Sequence, residues 1–438
     1  MPVLLAREGG LIPLPASIDR DGIIARLLRY SESSTFPCFR LKRGALYAAE
    51  VVGTLQIGKV RLSILPKSDI SDEERDKQFL LNLLRMAGYL GVRSLSTTSG
   101  VRAASLDPLE AVLAELANEM LDNLRPGVPR RYQEVSVESV TVKGRIDFGR
   151  LSRTLPGKAP TVPISYSPLS MSNVLSRTLR WVGESLALMA RGAEARQVLG
   201  EVLAHLEQVS GPRVTAGEVH GIELSRYEAH WARILEIAKL LANRRFIDPT
   251  FAGSTDAFGM LFPLQHLFER ILRRLLAEAG KEIGLTVTHR SEPLYLLHDD
   301  EDSRWLRLKP DYVFSRESQA ILLGDAKWKR LVNGARAYDL ERADVYQMNA
   351  YLTRYGILRA ALFVPRMGWM EKDWRRTFYI PPDKRELHVV SLDIEKLVSQ
   401  ISTAREDARS RLRDSLTAVV GTTSYGGNPP SHHVLGGA

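Results

Sequence analysis

The sequence contains a single cysteine, Cys38, and no run of about 20 apolar residues that is free of charge. One cysteine can form neither an internal disulfide nor a thiolate zinc cluster, which favours a reducing compartment. Without a long apolar run, a membrane-spanning helix is not expected. The first residues reach Arg7 and Glu8 after a short apolar run and lack the basic start of a signal peptide. We therefore expect a cytoplasmic protein with no membrane partner.

An excess of acidic residues is also absent, since 60 Lys and Arg stand against 51 Asp and Glu, for a net charge of +9. This balance favours a polyanionic partner, although nucleic acid, a membrane surface and a ribosome all fit it. The 9 histidines are scattered and show no HxxxH spacing on a helix, so no histidine metal site is predicted. The 438 residues, 44% of them hydrophobic, suffice for two or three domains.

The order of predicted elements indicates an α+β multidomain protein. Strand-like alternation at 45–65 predicts a β-rich N-terminal region, and helical periodicity follows it. From 263 onward helices and strands alternate, which suits an α/β domain with a mixed central sheet. The residues from Gly421 are rich in Gly, Pro and Ser, and we expect them to be disordered. The expected regions are 1–105 (β-rich), 106–250 (mainly helical, with a basic hairpin), 251–405 (α/β) and 406–438 (helix end and tail).

Individual elements follow from the same patterns. Asp107 is the predicted N-cap of a helix that starts at Pro108. The other predicted helices span 74–90, 173–191, 195–209, 226–243, 263–280 and 340–355. The predicted strands of the α/β domain span 285–289, 320–327 and 358–364, with a hairpin around 298–303.

A basic segment lies in the middle region. Between 125 and 158, eight Arg or Lys stand against three Asp or Glu, with Tyr132 and Phe148 among them. The segment is either a phosphate-contacting loop and hairpin or an ordinary solvated surface, and charge alone does not separate the two. The candidate DNA-contacting residues of this segment are Arg130, Arg131, Lys143 and Arg145. Lys329, near the motif described next, is a further candidate.

The segment LKPDYVFSRESQAILLGDAKWK carries the most informative pattern. Asp311 precedes a short apolar strand, Asp325 follows fourteen positions later at the end of the apolar run AILLG, and Lys327 lies two residues beyond. Residues two apart on a strand point to the same face, so Asp325 and Lys327 project together. A turn near 315–318 would fold the Asp311 strand back against them. Two carboxylates and one ammonium are therefore expected in one pocket.

This combination suits phosphodiester hydrolysis. Carboxylate oxygens are ligands for Mg²⁺, and a lysine can orient or activate the attacking water. The spacing P-D-x(13)-D-x-K is the signature of PD-(D/E)xK nucleases, which have a restriction-endonuclease-like fold. In the alternative interpretation, Asp311 caps a turn while Asp325 and Lys327 form an exposed strand-end ion pair. An acid at the end of AILLG is hard to explain as solvated surface, so the nuclease interpretation is favoured.

The flanking helices strengthen the pattern. Glu269 lies at the margin of an apolar helical stripe, where this fold often places an additional acid, although a helix-surface salt bridge is the alternative for this residue. Gln347 and Tyr351 lie at i and i+4 on the helix after the core strand, as in the Q-x-x-x-Y extension of several such nucleases. The apolar stripe comprises Leu264, Leu267, Phe268, Ile271, Leu272 and Leu275. The expected catalytic residues are Asp311, Asp325, Lys327, Glu269 and Gln347, of which Asp311, Asp325 and Glu269 would bind Mg²⁺.

Two other segments invite a functional interpretation that we do not favour. GTLQIGK at 53–59 has the spacing of a phosphate-binding loop, but Val60 stands where Ser or Thr would hold Mg²⁺ and strands flank it. No nucleotide site is therefore expected in this chain. The acidic cluster at 299–302 lies between two strand-like runs, which is typical of a solvated hairpin turn.

Several motifs occur in an order that resembles the McrC family, the nuclease subunits of the McrBC modification-dependent restriction system. They are VVGTLQIGKVRLSILPKSD, VKGRIDFGR, SNVLSRTLRWV, LKPDYVF, LLGDAKWK and YQMNAYL, over about residues 45–400. The resemblance implies that Asp311, Asp325 and Lys327 occupy the family's catalytic positions. Glu269, Gln347 and Tyr351 match positions that are less diagnostic.

The resemblance also implies a partner. In that system a separate AAA+ GTPase, McrB, forms the hexameric motor, uses the GTP and recognises modified cytosine of the 5-methylcytosine type, while the N-terminal part of McrC docks on the motor and stimulates GTP hydrolysis. We therefore expect an endonuclease subunit that cuts DNA with Mg²⁺. Two alternatives remain open, namely an autonomous PD-(D/E)xK nuclease in DNA repair or recombination and a non-catalytic DNA-binding regulator.

Overall fold

The computed structural model describes residues 3–15, 19–34, 36–67, 72–90, 108–153, 161–243, 258–289, 294–329, 340–366, 375–399 and 403–420. The chain divides into two compact units, unit 1 at Met1–Leu264 and unit 2 at Gln265–Ala438. The boundaries expected near 105 and 250, the predicted cap Asp107 and the tail from Gly421 lie outside the described residues. The boundary expected at 405 falls within the helix Thr403–Val420. No helix in these ranges has the length and apolar character needed to cross a membrane.

A four-stranded sheet organises one part of unit 1. The elements are β1 (Val3–Arg7), α1 (Arg20–Ser33), β2 (Phe39–Lys42), β3 (Ala45–Ala48), β4 (Val51–Ile57), β5 (Val60–Leu65) and β11 (Phe258–Pro263). The sheet order is β1-β5-β4-β11, in which β1 runs parallel to β5 and the other neighbours are antiparallel. Helix α1 and the β2–β3 hairpin pack on it around a core that includes the buried Cys38. The strands predicted at 45–65 are confirmed.

Strands β4 and β5 are buried along their whole length, which explains why their sequence is apolar without strict alternation. Gly53 pairs with Leu261 of β11 and has a φ of +130°. A Cβ at this position would lie 2.0 Å from the carbonyl oxygen of Met260, so only glycine allows β11 to approach this closely. Residues 53–59 therefore belong to a β-hairpin, as the sequence predicted.

Helices form most of the rest of unit 1. Those described are α2 (Glu73–Met86), α3 (Pro108–Leu124), α4 (Phe148–Leu151), α5 (Val174–Met189), α6 (Ala193–His205), α7 (Ala216–His220) and α8 (Ala232–Asn243). The helix predicted at 226–243 begins as a 3-10 helix, Arg226–Trp231, before α8. Helix α5 begins where the Asn173 side chain accepts a hydrogen bond from the Ser176 amide, which satisfies one of the free N–H groups of the first turn.

The basic segment folds as small sheets in unit 1. Strands β6 (Arg131–Tyr132) and β10 (Leu169–Ser170) pair with each other. Strands β7 (Val135–Ser139), β8 (Arg145–Ile146) and β9 (Val162–Tyr166) form a second sheet in the order β7-β9-β8. Most of β7 is exposed, and Tyr132 and Phe148 are exposed as well. The predicted hairpin is thus part of a three-stranded sheet with little buried surface.

Unit 2 is built on a six-stranded mixed sheet, which confirms the predicted α+β class and its α/β C-terminal domain. The strands described in this unit, six in the sheet and two in a separate hairpin, are β12 (Thr286–Thr288), β13 (Tyr295–His298), β14 (Arg304–Arg307), β15 (Tyr312–Arg316), β16 (Gln319–Ala326), β17 (Arg359–Pro365), β18 (Arg375–Ile380) and β19 (Arg385–Leu392). The sheet order is β12-β15-β16-β17-β19-β18, with parallel pairing of β16, β17 and β19 and antiparallel pairing elsewhere. Strands β13 and β14 form a separate hairpin, as predicted around 298–303.

Two helices flank the strands that carry the motif. The helices of this unit are α9 (Leu264–Glu282), α10 (Arg342–Tyr355), α11 (Ile394–Ser399) and α12 (Thr403–Val420). Met348, Tyr351 and Leu352 of α10 pack in one core with Val313 and Leu323 of the sheet. The stripe predicted on α9 is fully buried, and Phe268 contacts the ring of Trp328 with 5.6 Å between centroids.

Candidate active site

The motif residues meet at the carboxyl end of β16. Strand β15 folds back on β16 through a turn in which Glu317 and Ser318 have positive φ, as predicted for 315–318. The Ala326 amide donates a hydrogen bond to Asp311 Oδ2 at 2.8 Å. Lys327 Nζ lies 2.7 Å from Asp325 Oδ2. The predicted grouping of two carboxylates and one ammonium is therefore present.

Burial decides between the two interpretations of the motif. The Asp325 side chain is 2% exposed and that of Lys327 is 18% exposed. A surface ion pair would leave both groups in water, where it contributes little to stability. The interpretation as an exposed strand-end pair is therefore wrong.

Helix α9 fixes the end of β16 through Gln265, a residue that the sequence analysis missed. Gln265 Nε2 donates to the Ala326 carbonyl oxygen at 2.6 Å, and Gln265 Oε1 accepts from the Trp328 amide at 2.7 Å. The same Nε2 donates to Glu269 Oε1 at 2.8 Å. The spacing of Gln265 and Glu269, i and i+4 on one helix, was the available signal.

Glu269 faces the motif from α9. Its side chain is 23% exposed, and its Oε2 lies 4.0 Å from His266 Nδ1. Burial raises the pKa of Glu269, and the charge of Asp325 adds to this, against the hydrogen bond from Gln265. Arg273, four residues further along α9, lowers the pKa of both Glu269 and Asp311. The sequence analysis missed Arg273, although it is at i+4 from Glu269.

Helix α10 contacts Lys327 through the side chain of Gln347. Lys327 Nζ donates to Gln347 Oε1 at 3.2 Å, and Gln347 Nε2 donates to Tyr351 Oη at 2.7 Å. The Tyr351 hydroxyl in turn donates to the Lys309 carbonyl oxygen at 3.1 Å. The predicted pair Gln347 and Tyr351 therefore links the ammonium to the segment between β14 and Asp311.

A second lysine and acid lie beside this chain of hydrogen bonds. Lys329 Nζ donates to Glu341 Oε2 at 2.7 Å and to both oxygens of the buried Asp344 at 3.0 and 3.1 Å. Lys327 Nζ lies 4.0 Å from Asp344 Oδ1. The ammonium of Lys329, predicted as a DNA contact, is thus engaged in ion pairs. Asp344 was missed, although it stands three residues before Gln347 on the same helix.

The buried carboxylates are electrostatically strained. Burial raises the pKa of Asp325 to about 7, and the nearby charge of Asp311 contributes. Burial and the charge of Glu269 raise the pKa of Asp311 to about 6. Burial alone would lower the pKa of Lys327, but the charges of Asp325, Asp344 and Asp311 outweigh it and raise that pKa, so Lys327 is a cation at neutral pH.

The donor set fits Mg²⁺. Asp325 Oδ2 is buried and accepts no hydrogen bond, because Lys327 approaches it at ion-pair distance but outside hydrogen-bond geometry. An oxygen in this state suits a cation ligand, and Mg²⁺ is usually held by one or two carboxylates together with water and phosphate oxygens. Among the described residues, no three His, Cys, Asp or Glu side chains are grouped closely enough to hold a metal ion. A Mg²⁺ site here would therefore rest on fewer than three of these acids, with water and phosphate oxygens completing its coordination.

The other candidate DNA-contacting residues lie in unit 1. Arg131 is committed to Glu228, with Nε and Nη2 each 2.8 Å from a carboxylate oxygen, and this pair lowers the pKa of Glu228 to about 2 against the effect of its partial burial. Its guanidinium therefore has a structural role. Arg130, Lys143 and Arg145 are exposed on and beside the small sheets.

Comparison with known proteins places the chain in a family. The family described as McrBC 5-methylcytosine restriction system component matches residues 46–365. The chain belongs to this family. The resemblance to McrC found in the sequence is thereby confirmed. No curated protein matches the chain.

Solved structures support a shared fold with this family. McrC bound to McrB AAA+ hexamers, in a half-complex of a tetradecameric assembly from Thermococcus gammatolerans, matches at a TM-score of 0.58 and 18% identity. The match covers 94% of this chain and 100% of that one. The McrBC complex of the same organism also matches, at a TM-score of 0.47 and 18% identity over 63% of this chain and 88% of that one.

Proposed function

We propose that this chain is the endonuclease subunit of a modification-dependent restriction complex, and that it hydrolyses phosphodiester bonds of DNA with Mg²⁺. The observation that carries the proposal is the buried group of Asp311, Asp325 and Lys327, because two acids and one cation at the end of a core strand serve no packing need. Family membership supports a role in restriction of DNA of the 5-methylcytosine type.

The side chains of the group divide the chemistry between them. Lys327, a cation held by Asp325 and Gln347, is placed to orient the attacking water and to stabilise the negative charge that develops on the phosphate. Gln265 and the Ala326 amide hold the end of β16 and the Asp311 carboxylate in place. Such preorganisation lowers the barrier because little rearrangement is needed during reaction.

Mg²⁺ would be held by Asp311 and Asp325. When bound, it supplies a Lewis acid that offsets the charge of the transition state. Its charge would also remove the repulsion that raises the pKa of both acids. Glu269 would then act through hydrogen bonds with water or through Gln265.

The partner in this proposal is an McrB-like AAA+ GTPase hexamer. McrC of T. gammatolerans is bound to McrB AAA+ hexamers, and its fold matches nearly the whole of this chain. We place the docking surface in the N-terminal region and assign GTP use and base recognition to the partner. The residues of the GTLQIGK hairpin lie in buried strands and their turn, which suits a chain that leaves GTP to another protein.

The test is cleavage of a methylated plasmid by the purified chain with the AAA+ partner, GTP and Mg²⁺. We expect Asp325→Asn and Lys327→Ala to lower the rate by about 1000-fold or more, equivalent to about 4 kcal/mol of transition-state stabilisation. Lys281→Ala, an exposed lysine on α9, is the matched control and should cut normally. Undiminished cleavage by the first two variants would refute the assignment. Cleavage without the partner would favour an autonomous nuclease.

A further inference from the structure

The β13–β14 hairpin of unit 2 exposes large apolar side chains that the proposed chemistry does not use. Leu297 is 52% exposed, Trp305 58% and Leu306 63%. All four residues of β14 are exposed. Burying its tryptophan and leucine would stabilise the fold, so their exposure is unfavourable for the isolated chain. The hairpin therefore presents an apolar surface with no partner among the described residues.

The base of the hairpin is anchored beside the active site. The Leu308 amide donates to the Leu294 carbonyl oxygen at 2.8 Å, and both side chains pack in the sheet core. Arg354 of α10 donates to the Tyr295 carbonyl oxygen at 2.8 Å. The chain then passes from Leu308 through the exposed Lys309 to Asp311. The hairpin is thus fixed to the same elements that hold the catalytic group.

Distance along the chain limits how far the hairpin lies from the cut. At most about 3.6 Å separates successive residues, so the Cα of Arg307 lies within about 14 Å of that of Asp311. DNA rises 3.4 Å per base pair, and this reach corresponds to about four base pairs. A duplex with its scissile phosphate at Asp311 and Asp325 would therefore pass the base of the hairpin.

Charge is separated along the hairpin. The basic side chains Arg307 and Lys309 are exposed and lie at the base, whereas the exposed Arg304 pairs with His298 next to the turn. Two of the four acids at the tip are used within the turn, where Asp299 accepts hydrogen bonds from Trp305 Nε1 at 2.8 Å and the Ser303 amide at 2.7 Å. Asp302 pairs with His298 at 3.1 Å. The basic end is the one that faces the site where a polyanion would be cut.

The backbone at Leu306 adds a further observation. Leu306 has a φ of +54° within a strand, a conformation that L-residues rarely adopt and that costs about 1 kcal/mol or more. Leu306 and its neighbour Trp305 are both exposed. Exposed apolar side chains contact bases in several DNA-binding proteins.

We propose that the β13–β14 hairpin is a ribbon that contacts duplex DNA next to the cleavage site, an inference that rests on the proposed function. Arg307 and Lys309 contact phosphates within about four base pairs of the cut, Arg304 contacts the duplex further along the ribbon, and Trp305 and Leu306 contact the groove. A two-stranded ribbon has the width that the major groove admits. A protein partner is the alternative, because Trp and Arg are also enriched in protein interfaces. The connection of the hairpin to Asp311 within four residues favours DNA.

The test is a salt titration of duplex binding by the full chain, measured by fluorescence anisotropy. All proteins carry Asp325→Asn, so that no strand is cut in Mg²⁺. R304Q/R307Q is compared with K281Q/K384Q, which removes two exposed positive charges elsewhere in unit 2. Lys281 lies sixteen residues after Gln265 on α9, about 24 Å along the helix axis.

We expect R304Q/R307Q to weaken binding about tenfold or more at low salt and to reduce the slope of log Kd against log salt by about two. K281Q/K384Q should change neither by much. Trp305→Ala should weaken binding about fivefold or more, and Trp305→Phe, which keeps an aromatic ring, should restore it. Thermal melting of each variant establishes that it is folded.

Values for R304Q/R307Q within twofold of K281Q/K384Q, with an unchanged slope, would overturn the hairpin proposal and favour a protein contact at this surface. If the parent chain binds duplex and only the hairpin variants are neutral, the proposed nuclease function stands. If the parent chain does not bind duplex at all, the hairpin proposal fails, and the cleavage assay with the partner decides the nuclease function separately.

Discussion

Two buried carboxylates, Glu110 in unit 1 and Asp325 in unit 2, have different surroundings. Glu110 accepts hydrogen bonds from Arg61 Nη2 at 3.0 Å and from the amides of Arg191 and Gly192 at 3.0–3.2 Å. Asp325 Oδ2 has an ion pair with Lys327 Nζ at 2.7 Å, and burial together with the charge of Asp311 raises the pKa of Asp325. A charge that only stabilises a fold is neutralised and fully bonded.

The contrast is the one expected between a structural charge and a functional one. The neutral Gln265, which bonds to Ala326 and Trp328, fixes the backbone at the end of β16. Perturbed acids that are held in place and left unsatisfied are the usual mark of a catalytic or metal site. Four changes would break or sharpen this comparison.

The largest effect is expected in unit 1. Glu110→Ala leaves the buried Arg61 without its counter-charge and two amides without an acceptor, so we expect a loss of about 3–5 kcal/mol in the free energy of unfolding. Urea unfolding monitored by circular dichroism measures it. The control Glu184→Ala, which removes a surface i,i+4 partner of Arg180, should cost less than about 1 kcal/mol. Equal losses in the two variants would show that Glu110 is not a structural charge.

A smaller effect is expected from Gln265→Ala. The loss of two hydrogen bonds at the end of β16 and one to Glu269 should let Asp325 and Lys327 shift and lower kcat about tenfold, or about 1.4 kcal/mol, with KM little changed. Steady-state cleavage with the partner measures kcat and KM. Gln265→Glu keeps the acceptor for the Trp328 amide but places a carboxylate oxygen against Glu269 and the Ala326 carbonyl oxygen, so it should not recover the rate. An equal change in kcat and KM for Gln265→Ala would argue against positioning.

The strain on Asp325 predicts a substitution that stabilises the chain. In EDTA at pH 8, Asp325→Asn removes the cost of ionising a buried acid, so unit 2 should gain about 1 kcal/mol or more. Glu110→Ala and Asp325→Asn should therefore change stability in opposite directions, because Glu110 stabilises unit 1 and ionised Asp325 destabilises unit 2. Differential scanning calorimetry measures both. A lower melting temperature for Asp325→Asn would place Asp325 with the structural charges.

The same strain predicts a pH dependence in EDTA. The pKa values of Asp311 and Asp325 are raised to about 6 and about 7 from an ordinary value near 3.8. Between about pH 4 and pH 7 the folded chain therefore holds more protons than the unfolded chain. Stability contributed by these groups is therefore highest below about pH 4 and falls as pH rises through 7. The melting temperature should drop less between pH 5 and 8 in Asp325→Asn than in the wild type, and identical slopes would contradict the shifts.

Strand periodicity and spacing predicted the core of the site. Asp325 and Lys327 stand two apart on a strand, and the turn at Glu317 and Ser318 brings Asp311 back to them, so local rules suffice. The same rules predicted the apolar stripe of α9 and the hairpin at 298–303. These features depend on neighbours that are close in sequence.

Features set by distant parts of the chain were not predicted. Gln265 meets Trp328 across 63 positions, and Arg131 meets Glu228 across 97. Neither pair has a sequence pattern, because each depends on how whole elements pack. The sequence predicts Lys329 as a DNA contact, but its ion pair with Asp344 was not predicted, for the same reason.

Calorimetric titration of the full chain with Mg²⁺ tests most directly whether Asp311 and Asp325 form a cation site. The wild type should bind Mg²⁺ with a measurable heat, Asp325→Asn and Asp311→Asn should lose that binding, and Glu184→Gln should keep it. Mg²⁺ binding by Asp325→Asn that is as tight as in the wild type would contradict the assignment of these carboxylates as metal ligands.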